Sequence, residues 1–388
     1  MKVNSNFSGI PLKGGLYDIF NKTLLLEQAG KKIIHMEIGK PDFDSPLPAK
    51  EAAKKALDEG FVHYTSMIGI PELRYAIAEK ERLANGTVFD PDKEIIITAG
   101  ACEAITCALI VLFERGDEII VPSPYFPVYY ESAAMLGLKI VEVPLSIDND
   151  FEIDIDNLKD AVTDRTRGII VNTPANPTGK VMSLDSLKEI AKIVKERDLT
   201  VISDETYDQF IFSGTHYSIR NLDDMRDRTI VINSASKTFS MTGWRIGYLI
   251  APAKFIPYLS KAHQSFSTCA ASFAQKGAAV AFSDCQGFTE KMVEEFKLRR
   301  DLLVDALSRI KGIECNRPEG AFYLFPRIGK LKISSEKFCE LMLDHGVALS
   351  PGTAFGQSSA DYVRMSYACS QEDLREAAEI MSKVIDKL

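Results

Sequence analysis

Six short, largely apolar runs recur along this chain: Ile95-Ile-Ile97, Glu118-Ile-Ile-Val121, Gly168-Ile-Ile-Val171, Thr200-Val-Ile-Ser203, Thr229-Ile-Val-Ile232 and Tyr248-Leu-Ile250. Most are separated by stretches long enough for a helix. Strands apolar on both faces must be covered on both faces, so the pattern predicts the α/β class with a mostly parallel, fully buried sheet. Open sheets of this kind present ligand groups just beyond the carboxyl ends of their strands. At 388 residues and 46% hydrophobic content, the chain can bury a large core and its length suits two domains better than one.

Several polar clusters sit at those strand ends. After Thr229–Asn233 comes Ser234-Ala-Ser-Lys237-Thr-Phe-Ser-Met-Thr-Gly243-Trp-Arg245-Ile-Gly247-Tyr. A lone lysine is ordinarily a solvated charge. Here small hydroxyl residues surround Lys237, glycines permit close backbone approach, and Arg245 offers a planar fork of donors suited to phosphate. An amine beside a phosphate site suggests a Schiff base to a phosphorylated aldehyde.

Upstream, the run Leu199–Ser203 leads into Asp204-Glu-Thr-Tyr207. Asp204 or Ser203 could simply cap a turn. Alternatively, a carboxylate there could keep a pyridine nitrogen protonated and so make the ring an electron acceptor, with Tyr207 bonded to a ring hydroxyl. A further run ends in Asn172-Thr-Pro174-Ala-Asn176-Pro177-Thr-Gly179. The prolines fix their own φ and extend the residues before them, which gives Asn176 a defined direction.

Taken in order, Asn176-Pro-Thr-Gly179, Asp204-Glu-Thr-Tyr207 and Ser234-Ala-Ser-Lys237 with Gly243-Trp-Arg245-Ile-Gly247 resemble the class I/II aminotransferases, pyridoxal-phosphate enzymes of fold type I. The resemblance spans most of the chain. It includes Gly39-Lys-Pro-Asp-Phe43, Tyr64 with Gly69 and Leu73-Arg74, Gly100-Ala101-Cys102, Pro124-Tyr-Phe126-Pro-Val-Tyr129, Pro351–Gly356 and Val363-Arg364-Met-Ser-Tyr-Ala368. It implies a large domain over residues 46–284 with a mostly parallel seven-stranded sheet. Residues 1–45 and 285–388 would form a smaller α+β domain, joined through a long amphipathic helix over Phe288 to Ile310.

The resemblance also implies roles. Lys237 would carry pyridoxal 5'-phosphate and then act as acid and base, Asp204 would face the ring nitrogen, and Tyr207 would face the ring hydroxyl. Phosphate would fall to Arg245, Ser234, the hydroxyl of Ser236 or Thr238, and the turn Gly100-Ala101-Cys102 opening a helix. Phe126, or its neighbour Tyr125, would stack on the ring. Asn176 would serve both cofactor and substrate, while Arg364 and Gly39 would meet the substrate carboxylate; taken alone, an arginine there would more readily be a surface ion pair. Tyr64 would reach the phosphate of a second subunit, making a homodimer with sites at the interface.

The implied reaction moves an amino group from an L-amino acid to a 2-oxo acid, 2-oxoglutarate or pyruvate, by a ping-pong route. Cys102 stands where one bacterial aspartate-specific subgroup has a lysine, which favours neutral or aromatic donors over strict dicarboxylate specificity. A lyase of the same fold, C–S β-lyase or ACC-synthase-like, would keep the same motifs and is the alternative. A transcription regulator would need a DNA-binding domain, for which Met1 to Gly39 is too short, and a binding protein would be expected to lack Lys237 or Asp204.

Other partners find no support. A net charge of -8 disfavours nucleic acid. The most hydrophobic stretch, Ala99 to Phe113, is interrupted by Glu103 and Thr106 and reads as a buried helix, not a membrane span. Seven cysteines without a Cys-x-x-Cys pair, five scattered histidines and an N-terminus without the apolar core of a signal peptide point to a cytoplasmic protein without a metal site.

Overall fold

A computed structural model describes residues 3–7, 10 and 16–388. The described strands are β1 (Ile34–His35), β2 (Ile95–Thr98), β3 (Glu118–Ser123), β4 (Lys139–Pro144), β5 (Thr166–Asn172), β6 (Thr200–Asp204), β7 (Thr229–Ser234), β8 (Gly247–Ile250), β9 (Tyr323–Leu324), β10 (Val347–Ala348), β11 (Ser350–Pro351) and β12 (Val363–Ser366). Seven of them form one sheet in the order β2-β8-β7-β6-β5-β3-β4.

That sheet is the mostly parallel one expected. Only β8 runs against its neighbours, pairing antiparallel with both β2 and β7. The connection from Ser234 to Gly247 is occupied by the Lys237 turn and is too short for a crossover helix, so the chain returns in the opposite direction. The six apolar runs all became strands of this sheet. The seventh, β4, lies at the sheet edge and has no such run: Lys139 is exposed, and Ile140 and Val141 are only half-buried.

Helices cover both faces. In Leu184–Glu196, Leu187, Ile190, Ala191, Ile193 and Val194 are buried at helical spacing, while Lys188, Glu189 and Lys192 stay in water. Ser183 caps its start by accepting from the Ser186 N–H. The helix Ala101–Leu112 buries Ala104, Ile105, Cys107, Ala108 and Leu109 against the sheet. Its core position explains its apolarity, and no helix among the described residues is long and apolar enough to cross a membrane.

The long helix expected over Phe288 to Ile310 spans Gln286–Leu307, and Phe296, Leu303 and Leu307 lie on its buried side, with Val293 partly buried. It packs against a second, three-stranded sheet, β11-β12-β9, through a ring cluster in which Phe296 stacks on Phe322 at 4.9 Å. Tyr207 and Phe210, which follow β6, belong to the same cluster. The smaller sheet is therefore pinned to the segment that carries Asp204. Part of the N-terminal portion assigned to the smaller domain, residues 1–2, 8–9 and 11–15, lies outside the described residues.

Candidate active site

The carboxyl ends of β5, β6 and β7 lie side by side, and each delivers one of the expected residues. Beyond β7, Ser234 caps the four-residue helix Ala235–Thr238 by accepting from the Ser236 N–H at 3.3 Å. That turn sends Lys237 back over the sheet, where its Nζ donates to the Gly39 carbonyl at 2.5 Å. Burial, reinforced by the positive charges of Arg364 and Arg245, lowers the amine to about 8, with Cys102 and Asp204 pulling the other way. A lysine in this setting loses its proton far more readily than one in water.

Asp204 closes β6 and is buried. Its carboxylate accepts from the Tyr129 hydroxyl at 2.6 Å, from the Thr206 hydroxyl at 2.7 Å and from the Thr206 N–H at 3.1 Å. Burial nonetheless raises its proton affinity above the ordinary carboxylate value. It is more than a cap: the Thr206 contacts are local, but Tyr129 arrives from a different layer to fix its direction. Next to it, the Asn172 side chain at the end of β5 donates to the Asp204 carbonyl at 3.0 Å and accepts from the Asn176 N–H at 2.8 Å, which ties the proline-rich turn to β6.

Arg364 on β12 is only 2% exposed, so it is not a surface ion pair. Its Nη1 donates to Asn176 Oδ1 at 3.1 Å, another donor meets the Glu37 carbonyl, and its guanidinium lies 4.6 Å over the Tyr323 ring. Tyr323 also meets Tyr207, hydroxyl to hydroxyl, at 2.6 Å. Gly39 belongs here for a steric reason. A Cβ on it would fall 1.7 Å from the Tyr323 hydroxyl, so only glycine lets this strand of chain pass between Lys237 and Tyr323.

The other expected cluster lies at the start of Ala101–Leu112. Gly100 precedes this helix with φ +97, a conformation glycine adopts freely, and a Cβ there would meet Arg245 Nη2 at 2.4 Å. The guanidinium donates to the carbonyls of Ala99 at 3.2 Å and Thr242 at 2.9 Å, which brings it against the turn. Helix geometry leaves the N–H groups of Ala101 and Cys102 without intrahelical acceptors. Burial pushes the Cys102 thiol above its usual value.

Of the two candidate stacking rings, Tyr125 is buried and bonded to Glu142 at 3.0 Å, while Phe126 is half-buried and meets Tyr129 edge-on at 5.9 Å. Tyr64 is 84% exposed and stands apart from the residues gathered above.

Two contributors escaped the sequence reading. Tyr129 was visible only as the last ring of an aromatic segment, and Tyr323 only as one of several aromatics before the C-terminal region. Neither role follows from local spacing, because each partner lies on a distant element. Among the described residues, no group of His, Cys, Asp and Glu is arranged to hold a metal, and the seven cysteines are unpaired.

With this geometry in place, similarity to known proteins becomes interpretable. Residues 31–381 match the family aminotransferase class I and II. The chain is 44% identical to an aspartate aminotransferase of Pyrococcus abyssi, covering 92% of each sequence, and 43% identical to an aromatic-amino-acid aminotransferase of Thermococcus litoralis, covering 93% of each. Its fold superposes on an aspartate aminotransferase from Thermus thermophilus with maleate at a TM-score of 0.94, 34% identity, 99% of this chain and 100% of that one. The chain belongs to the class I and II aminotransferases.

Proposed function

We propose that this aminotransferase binds pyridoxal 5'-phosphate in the pocket between Lys237, Asp204, Arg245 and Arg364, and moves an amino group from an L-amino acid to 2-oxoglutarate or pyruvate in two half-reactions. The observation that carries the reading is the half-buried Lys237 amine, lowered to about 8, set among a buried carboxylate, a helix N-terminus against which the exposed Arg245 lies, and the buried Arg364. The residues fit such a cofactor: Asp204 has a raised proton affinity that a protonated ring nitrogen would satisfy, and Gly100 leaves the turn open where a side chain would collide with Arg245.

In this reading the turn Gly100-Ala101-Cys102, Arg245 and Ser234 hold the phosphate, Phe126 covers the ring, and Tyr207 and Asn176 meet its hydroxyl side. When bound, the cofactor supplies an electron-accepting ring conjugated to the amino group. Asp204 keeps a proton on the ring nitrogen, with Tyr129 and Thr206 fixing its direction. Lys237 would hold the cofactor's aldehyde and move the proton at the substrate α-carbon, and its depressed proton affinity suits that task near neutral pH. Arg364 grips the α-carboxylate in a fork oriented by Asn176, and the Gly39 segment closes the same side.

With Cys102 in place of a cation in the phosphate turn, we assign neutral or aromatic donors ahead of strict dicarboxylate specificity; relatives named for aspartate and for aromatic amino acids both share this chain's framework. The exposed Tyr64 fits a homodimer in which it serves the partner's phosphate. Residues 46–284 would then be the cofactor-bearing domain, with the remainder supplying Arg364 and Gly39, and unpaired cysteines fit a cytoplasmic setting.

The test is a single half-reaction. Adding an amino acid to the loaded enzyme without a keto acid should give one stoichiometric change in visible absorption, reversed by 2-oxoglutarate or pyruvate. Continuous release of ammonia with an unchanged spectrum would instead establish elimination.

A further inference from the structure

Glu103 is the third residue of the helix Ala101–Leu112 and directly follows the proposed phosphate turn Gly100-Ala101-Cys102. One carboxylate oxygen, Oε2, accepts from the Ala99 N–H, immediately before Gly100. The other, Oε1, lies 2.7 Å from His263 Nδ1 and accepts from the Ser267 hydroxyl at 3.0 Å. His263 and Ser267 come from the helix Ile256–Ser267, which packs against the phosphate-turn helix. An ionised carboxylate can only accept, so it fixes the imidazole proton on Nδ1.

His263 is fully buried, and its Nε2 has no hydrogen-bond partner among the described residues. Its other nitrogen holds Glu103. Burial disfavours the Glu103 charge, but the bonds from His263, the Ala99 N–H and Ser267 outweigh it and hold the carboxyl below its ordinary value. Glu103 is thus a fixed, ionised clamp that binds the chain just ahead of Gly100 to a second helix.

The sign of its charge separates two roles. A negative side chain at the first turn complements the helix dipole but repels a phosphate bound at the same turn. Glu103 therefore helps phosphate binding only through geometry, by holding Ala99 and Gly100 so that the N–H groups of Ala101 and Cys102 point outward together. The Ala99 carbonyl, on the same clamped residue, accepts from Arg245.

We propose that Glu103, His263 and Ser267 are positioning residues that preorganise the phosphate-binding turn, setting cofactor affinity without touching the cofactor. The inference rests on the proposed binding of pyridoxal 5'-phosphate at this turn. It makes Glu103→Ala and His263→Phe lose phosphate recognition specifically, while the rest of the pocket, held by β5, β6 and β7, stays as it is.

The experiment compares pyridoxal 5'-phosphate with pyridoxal, which offers the same aldehyde to Lys237 without a phosphate. Dissociation constants for both are read on the apoprotein from the fluorescence of Trp244, the sole tryptophan, which adjoins Arg245. The wild-type preference for the phosphorylated form should shrink about tenfold in Glu103→Ala and His263→Phe, the scale of losing a helix-start clamp. Ser267→Ala, which removes one hydrogen bond and leaves the core filled, should shrink it about threefold and stands as the test if the larger substitutions do not fold. Glu103→Gln retains an acceptor for Ala99 without the charge and should keep or increase the preference.

An unchanged preference in Glu103→Ala or Ser267→Ala, or an equal weakening of both ligands, overturns the inference. A gain in preference in Glu103→Ala would mean that Glu103 acts by charge alone and overturns it as well. A wild-type protein that does not distinguish the two ligands would instead overturn the cofactor reading beneath it.

Discussion

The amine of Lys237 and the carboxyl of Asp204 are both shifted chiefly by burial, and in opposite directions along the pH scale, toward the neutral form of each. For Lys237 the neutral amine is the reactive form. Capture of pyridoxal 5'-phosphate by the apoprotein should accordingly quicken about tenfold per pH unit up to about 8 and then level off, as stopped-flow absorbance would show. An inflection near the ordinary lysine value would mean the side chain is solvated. Because the native amine binds its proton less tightly than the unfolded one, its contribution to apoprotein stability is fully present above about 10.5 and is lost as pH falls toward about 8. Asp204 invites a paired substitution. Asp204→Ala should slow α-proton removal by about 10²–10⁴-fold with the fold intact. Tyr129→Phe, which removes only the 2.6 Å bond to Asp204, should cost about tenfold. Solvent exchange of the substrate α-deuteron measures both, and equal losses would show that Tyr129 does more than orient the carboxylate.

At the level of elements, the site is made where strand ends and helix starts converge, and this is also what made much of it readable in advance. Apolar runs marked β5, β6 and β7, and Asn176, Asp204 and Lys237 follow their ends within a few residues, so chemistry and position were encoded together. The edge strand β4 was not readable because Lys139, Glu142 and Pro144 break its apolar residues into short pieces. Tyr129 and Tyr323 were hidden for another reason: a hydrogen bond between residues 75 positions apart, as from Tyr129 to Asp204, leaves no periodic trace in either segment. Gly100, by contrast, declares its role through backbone conformation. Gly100→Ala forces a side chain into φ +97 and against Arg245, which should destabilise the protein by about 1–3 kcal/mol and weaken cofactor binding. Denaturant unfolding of the apoprotein and titration with cofactor separate these effects; wild-type values for both would show that the turn is free to rearrange.

For the whole molecule, one residue does not fit a site completed by a single chain. Tyr64 is 84% exposed, while Asp204 and Arg364 are buried and Lys237 is half-buried where the strand ends converge. Its loop is nevertheless anchored, since buried Gln275 donates to the neighbouring Thr65 hydroxyl at 3.0 Å and accepts from the Ile70 N–H at 2.8 Å. An aromatic hydroxyl held on a fixed loop and turned outward suits a contact made to another subunit. In a two-fold dimer each chain would lend its Tyr64 to the other's phosphate, which makes the two functions separable by mixing. Lys237→Ala alone should be inactive, and Tyr64→Ala alone should bind cofactor poorly. When the two variants are unfolded together and refolded, half of the dimers should be hybrids, each holding one site with an intact lysine and an intact partner tyrosine. Activity should then rise to about a quarter of the wild-type value at limiting cofactor. A mixture no more active than its refolded parents taken separately would place Tyr64 outside the partner's site.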